Sequence, residues 1–269
     1  MEPEPDERAP PTASWRALLT SAVRTPGLVH EAYSRFHQYS LHNQLLAWAQ
    51  CVDRGINPGP LRTFPGWLSL GRHVRRGEKA LVLCVPITVP PTEPDSVEET
   101  PVVATRQAFV YRARWFALCQ TDGDEYQEVS VPTWSEVRAL GNLGIERIPF
   151  AILDGNAQGY ALPGRQVAIN PVAALPHKTL FHEVGHVLLG HPTDDKTPRA
   201  VKEAEAEAVA LLCCEALGLS GSEYARGYLQ HWLRDKEFSE DSAQRVIGAA
   251  HELLSAGDQD SGDAEASPT

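Results

Sequence analysis

Two histidines four residues apart with a glutamate after the first, His182-Glu183-Val184-Gly185-His186, are the residues of this chain with the clearest chemical use. Positions i and i+4 of a helix point the same way, so His182 and His186 can offer two imidazoles to one ion. Glu183 lies one step around the helix, able to reach an ion-bound water without ligating the ion. Leu180, Val184, Val187 and Leu188 make the other side apolar. Gly185 leaves room for a close backbone approach, and Gly190 ends the helix.

Zinc held by two histidines needs a third protein ligand and an open position. The acidic run Glu203-Ala204-Glu205-Ala206-Glu207 supplies it. Glu203 and Glu207 are again i and i+4, and the alanines between them let two helices pack tightly. Glu203 is expected to ligate and Glu207 to accept a hydrogen bond from a ligand histidine, with Glu205 the alternative third ligand. His177 and His191 are off the ligand face and read as surface residues or supports of the site. The expectation is one Zn2+ per chain and metal-assisted peptide hydrolysis. The ion lowers the pKa of its water from about 15.7 toward 7, and Glu183 is the general base. Tyr160, Tyr224, Tyr228 and His231 are candidates for an oxyanion donor.

Which elements position these groups follows from periodicity. Helices are expected over Trp15–Val23, Ser40–Cys51, Ser135–Leu143, Lys178–Leu189, Arg199–Leu217, Ser222–Leu233 and Asp241–Leu254. Strands are expected over Ala80–Pro86, Ala108–Leu118, Arg147–Leu153 and Gln166–Asn170, with a turn at Asp154-Gly155-Asn156 and an exposed hairpin loop at Pro90–Pro101. The expected fold class is α+β, two small α+β domains, the second zincin-like. The divisions are a disordered start at 1–12, domains at 13–130 and 131–255, and a disordered acidic tail at 256–269.

The 269 residues contain no apolar run long enough to cross a bilayer, and the acidic, proline-rich start lacks a secretory pattern, so a cytoplasmic protein without membrane contact is expected. Five cysteines without a Cys-x-x-Cys pair exclude a disulfide framework. The net charge of −11 is uneven. Between Ala13 and Pro90 the basic residues outnumber Glu31, Asp53 and Glu78, which points to a polyanion partner. Arg72, Arg75, Arg76 and Lys79 can track phosphates, and Trp67, Tyr39 or Phe64 can stack on bases.

The second half resembles the ImmA/IrrE metallopeptidases, in which a His-Glu-x-x-His helix precedes a helix of pattern Glu-x-x-(Ala/Cys)-(Asn/Asp/Glu)-x-x-Ala. Here that second helix reads Glu203-Ala204-Glu205-Ala206-Glu207-Ala208-Val209-Ala210. The resemblance implies the same ligand set and support as the spacing does. The first half resembles the single-stranded-DNA-binding domain of ArdC-type antirestriction proteins. The matching stretches are Phe36–Leu46 with its Tyr39-Ser40-x-x-Asn43 core, Trp67–Lys79, and Phe116-Ala117-Leu118-Cys119-Gln120-Thr121-Asp122-Gly123. Together the two resemblances span about residues 14–235. They imply a zinc metalloendopeptidase with a single-stranded-DNA-binding module, acting on an unidentified DNA-associated or regulatory protein substrate in a mobile-element or stress-response setting. The alternatives are a DNA-binding antirestriction protein with little peptidase activity, or a repressor-cleaving peptidase whose first domain binds protein.

Overall fold

The computed structural model describes residues 14–89, 106–127, 129–151 and 156–259. The expected disordered start at 1–12, the Pro90–Pro101 loop and most of the Asp154–Asn156 turn lie outside those residues. The expected disordered tail at 256–269 is corrected at its start, where a helix continues to Gly257 and Asp258 pairs with Trp134; its residues after 259 lie outside the described ones. Among the described residues no helix is long and apolar enough to cross a membrane.

The chain forms two compact units, and they are not consecutive in sequence. One comprises the described residues within Ala49–Tyr126, and the other those within Ala13–Trp48 and Gln127–Thr269. The smaller unit holds the end of α3 (Leu41–Arg54), β1 (Leu61–Thr63), α4 (Phe64–Leu68), β2 (Arg72–Val74), β3 (Leu81–Val89), β4 (Arg106–Ala117) and β5 (Thr121–Gly123). Strands β1, β4 and β3 form an antiparallel sheet in that order, and β2 pairs with β5. A register shift interrupts β3 between Leu81 and Val82. There the Gln50 side chain fills both backbone positions of Val82, accepting from its N–H (2.9 Å) and donating to its carbonyl (2.8 Å).

The larger unit is mostly helical: α1 (Trp15–Arg24), α2 (Leu28–Phe36), most of α3, α5 (Glu136–Leu143), α6 (Pro176–Leu188), α7 (Arg199–Ala216), α8 (Ser222–Trp232) and α9 (Glu240–Gly257). Its sheet is β6 (Glu146–Arg147), β8 (Gln166–Ile169) and β7 (Gly159–Leu162), with β8 central, parallel to β6 and antiparallel to β7. The core is the alanine-rich α7, buried from Ala204 to Ala216, with α6, α8 and α9 packed on it.

Two consecutive α+β domains, the second zincin-like, were expected, and that expectation is corrected. Helices α1 and α2 bury Leu18, Leu19, Ala22, Val23, Val29 and Phe36 in the larger unit, where α1 packs on α8 and α9 and α2 on α7. Amphipathic spacing states that a helix has a core face but not which core receives it. The Tyr39-Ser40-x-x-Asn43 segment has a local structural use as well. The Ser40 hydroxyl accepts from the Asn43 N–H at 3.4 Å, and the Gln44 side chain donates to the Tyr39 carbonyl at 2.7 Å, so the segment starts α3.

His42 is buried against Trp15, ring centroids 3.7 Å apart, and neither imidazole nitrogen has a hydrogen-bond partner among the described residues. Burial lowers its pKa to about 4. Above pH ~6.5 the ring is neutral whether the chain is folded or unfolded; between 6.5 and 4 only the unfolded chain takes the proton. Its contribution to stability is therefore present at pH 7 and is lost as pH falls. Urea melts should show the wild type losing about 2–3 kcal/mol more than His42→Phe between pH 7 and pH 4.5. Equal losses would mean that His42 is not held neutral.

Candidate metal centre

Helix α6 begins with Pro176 in its first turn, where a missing N–H costs nothing. Leu180, Phe181, Val184 and Val187 face the core, and Phe181 meets the edge of Trp134 at 5.2 Å. Two glycines set how closely α6 is approached. A Cβ on Gly185 would lie 3.2 Å from the Val209 Cβ and 3.4 Å from the Ala206 Cα, so α7 comes almost backbone to backbone with α6. A Cβ on Gly159 of β7 would lie 2.9 Å from the Glu183 Cγ and 2.8 Å from the Thr179 Cγ2, so this strand presses on the other side of the same turn.

His182, His186 and Glu203 form a cluster able to hold a metal ion, their ligand atoms all within 4.8 Å of one another. The His182 and His186 Nε2 atoms are 3.2 Å apart, and the nearer Glu203 oxygen lies 3.5 and 3.9 Å from them. Ligands about 2 Å from a tetrahedral ion are separated by roughly 3.3 Å, so this triangle matches one face of such a site. The other ring nitrogens are taken by protein partners. His182 Nδ1 is 2.8 Å from Glu207 Oε2, and Lys178 Nζ is 2.6 Å from Glu207 Oε1. His186 Nδ1 is 2.8 Å from His191 Nδ1. The donor set therefore fits a divalent cation.

Charge is arranged to suit. The hydrogen bond with His182 holds the Glu203 carboxyl down at about 2 despite its partial burial. Burial alone would raise Glu207 and Glu205, but His182 with Lys178, and His191 with Ser242, keep both below the usual carboxylate range. Glu183 is different: burial pushes it up to about 7. Its carboxylate is not a member of the ligand cluster.

Glu205, the alternative third ligand, is excluded by its position. It is buried, with one oxygen 2.9 Å from His191 Nε2 and the other accepting from the Ser242 hydroxyl at 2.5 Å. His191, read from spacing as a surface residue or a support of the site, is buried beside His186, which leaves the second reading. Helical spacing could not find it, because Gly190 turns the chain (φ +75°) into a 3-10 turn over His191–Thr193. Of the candidate oxyanion donors, the Tyr160 hydroxyl accepts from the Ala151 N–H at 3.3 Å, while Tyr224, Tyr228 and His231 are exposed.

The residues expected to bind DNA divide between the two units, Tyr39 and Asn43 in the larger and the rest in the smaller. Trp67 is corrected from a stacking residue to a core residue: it is fully buried, with Nε1 donating to the Phe116 carbonyl at 2.9 Å. The Arg72 guanidinium is spent on the Thr121 hydroxyl and carbonyl and on the Gly123 and Asp124 carbonyls. Arg75 is spent on Glu78, Asp122 and the Cys119 carbonyl. Both arginines tie β2 to β5, and the Gln120-Thr121-x-Gly123 segment serves the same pairing. A Cβ on Gly123 would lie 2.3 Å from the Gly71 carbonyl oxygen. Arg76 and Lys79 are exposed and make no ion pair among the described residues, and Phe64 is 47% exposed.

Residues 11–129 match the family described as the N-terminal domain of anti-restriction factor ArdC. No curated protein matches the chain. Among solved structures, the fold is similar to crystal structures of the antirestriction protein ArdC from plasmid R388, one metal-free and one Mn(II)-bound. Each has a TM-score of 0.52 and 20% identity over 90% of this chain, covering 94% and 97% of the plasmid protein respectively. The chain thus shares one α+β fold with those proteins over nine-tenths of its length. The reading of the second half as a separate ImmA/IrrE-type domain is corrected by this likeness. With it falls the assignment as a zinc metalloendopeptidase. The His182–His186 segment is instead a helix of an ArdC-like fold, carrying two of the three residues able to chelate an ion.

Proposed function

We propose that this chain is an antirestriction protein that binds single-stranded DNA and carries one divalent ion on His182, His186 and Glu203. The observation that carries the reading is the match of residues 11–129 to the ArdC N-terminal domain. The Mn(II)-bound state of the plasmid R388 protein supports the metal part. His182 and His186 of α6 and Glu203 of α7 would hold the ion together, so its binding free energy would add to the stability of the larger unit. A two-histidine, one-carboxylate set accepts zinc or manganese. The affinity order of divalent ions puts zinc ahead, so zinc should displace manganese in direct competition.

For DNA, the smaller unit offers exposed cations (Arg76, Lys79) and an exposed ring (Phe64). Phosphate contacts release counterions, so affinity falls as salt rises, with a slope near 0.7 per contact for single strands. The test is a salt titration of the full chain on a fluorescent single-stranded oligonucleotide. Wild type should bind the single strand more tightly than duplex. Arg76→Ala with Lys79→Ala should lower the slope by ~1.4, and Phe64→Ala should weaken binding by ~1–3 kcal/mol. Binding that ignores salt, or none at low salt, would sink the DNA-binding reading.

A further inference from the structure

Granting the metal reading above, His186 raises a question that His182 does not. An imidazole can ligate through Nε2 only if Nδ1 carries the proton. For His182, a carboxylate settles this directly, because Glu207 can only accept from Nδ1–H. For His186, the partner of Nδ1 is another imidazole nitrogen, His191 Nδ1 at 2.8 Å, which can either donate or accept. If His191 Nδ1 donated, His186 would have to hold its proton on Nε2 and could not ligate.

The surroundings of His191 decide the direction. Its Nε2 lies 2.9 Å from Glu205 Oε2, and both side chains are 2% exposed. An acceptor-only carboxylate demands Nε2–H on His191. With the Nε2–H committed to Glu205, Nδ1 is the ring's acceptor and takes the His186 Nδ1–H. Glu205 is held in turn, since the Ser242 hydroxyl of α9 donates to Oε1 at 2.5 Å. The turn is pinned as well: Lys202 Nζ donates to the His191 carbonyl at 3.2 Å, and Arg245 donates to the Leu189 carbonyl at 2.6 Å. Groups from α6, the turn, α7 and α9 converge on one buried ring.

We propose that His191 is a positioning residue for the metal ligand His186, in a buried relay His186–His191–Glu205–Ser242 that fixes the His186 Nε2 lone pair toward the ion. The two histidine ligands are therefore supported differently, His182 by a carboxylate directly and His186 by a carboxylate acting through a second imidazole. Supports of this kind orient the ring, and their loss typically costs ~10–100-fold in metal affinity.

The test uses the full chain and zinc alone, with affinity read by competition against a chromophoric chelator. His191→Phe keeps the ring but has no acceptor for His186, and should weaken zinc binding about 10–100-fold. His191→Gln can accept at its oxygen and donate at its nitrogen, and should restore most of the affinity. In the zinc-loaded wild type, long-range 1H–15N correlation should find protons on His186 Nδ1 and His191 Nε2. Wild-type affinity in His191→Phe, or a proton on His191 Nδ1 in the loaded protein, would overturn the relay while leaving the metal site standing. No zinc uptake by wild type, or full uptake by His182→Ala with His186→Ala, would overturn the metal reading and the relay with it. Should His191→Phe fail to fold, the nitrogen assignment in wild type still decides the matter.

Discussion

Zinc at a hundredfold excess over its dissociation constant should raise the melting temperature of the larger unit by about 5–10 °C, and His182→Ala with His186→Ala should remove the rise entirely. The size follows from linkage. An ion that binds only the folded chain adds ~2.7 kcal/mol at that excess, and in a protein of this size each kcal/mol is worth ~2–4 °C. The removal follows from the triangle of ligand atoms, two of whose corners are the histidine Nε2 atoms 3.2 Å apart. Glu203→Gln should retain a reduced rise, since an amide oxygen remains at the third corner without the charge. Glu183→Gln should behave as wild type. That side chain is buried, its carboxyl is pushed up to about 7, and it is no part of the ligand cluster, so a neutral amide of the same shape changes little. Metal analysis of dialysed protein checks the same point independently. One ion per chain in the double histidine variant would show that the ion sits elsewhere.

How far this site was legible in the sequence depends on how local its determinants are. The spacing of His182 with His186, and of Glu203 with Glu207, fixes faces of two helices, and the structure brings those faces together. The helices themselves end within a residue or two of where periodicity put them, Arg199–Ala216 against an expected Arg199–Leu217. Spacing left His191 between a surface residue and a support of the site, because it sits beyond a left-handed glycine, where helical spacing no longer predicts direction. Strand β7 was missed because it is four residues long and begins at Gly159, a position that reads as a breaker. Its need for glycine comes from Glu183 and Thr179 on another element, which no local pattern reports.

The N-terminal motif teaches the reverse lesson. Trp67, Arg72, Arg75, Gln120 and Gly123 stand out by type and spacing, and basic residues beside aromatic ones suggested a nucleic-acid surface. In the folded chain they hold the smaller unit together. Trp67 fills its core, and Gln120 accepts from the Ala117 N–H while donating to Glu78 and the Lys79 carbonyl. Residue type states what a side chain can do, but burial decides whether a strand of DNA can reach it. Between these anchors Arg76 and Lys79 are exposed and make no ion pair among the described residues.

Arg226→Ala should destabilise the larger unit by ~3–5 kcal/mol, because it strands a buried charge. Arg226 and Glu215 are both buried, on α8 and α7, and form an ion pair through Nη2 and Oε2. Neither end of the pair is idle. Arg226 Nη1 donates to the Ala22 carbonyl at 2.7 Å and to the Val23 carbonyl, in the last turn of α1. Glu215 Oε1 accepts from the Val29 N–H at 3.3 Å, in the first turn of α2. One pair thus satisfies the backbone on both sides of the Thr25-Pro26-Gly27 corner and fastens the first two helices to α7. Burial raises the Glu215 carboxyl, opposed by Arg226 and by the Gly27 and Val29 N–H groups, so removing the arginine removes the largest opposing influence. The carboxylate must then protonate or remain uncompensated, and two carbonyls lose their donor. Against a total stability of ~5–15 kcal/mol, that loss is a large fraction. Replacing both partners at once, Arg226→Met with Glu215→Leu, should cost less than the sum of the two single changes, since no charge is left behind. Urea melts of the four proteins measure the coupling. Single variants within about 1 kcal/mol of wild type, a value typical of exposed ion pairs, would mean that α1 and α2 are held by apolar packing alone. The expected large loss would instead make residues 14–36 an integral part of the unit that carries His182, His186 and Glu203, so that zinc affinity should fall in the same variant that loosens the first helices.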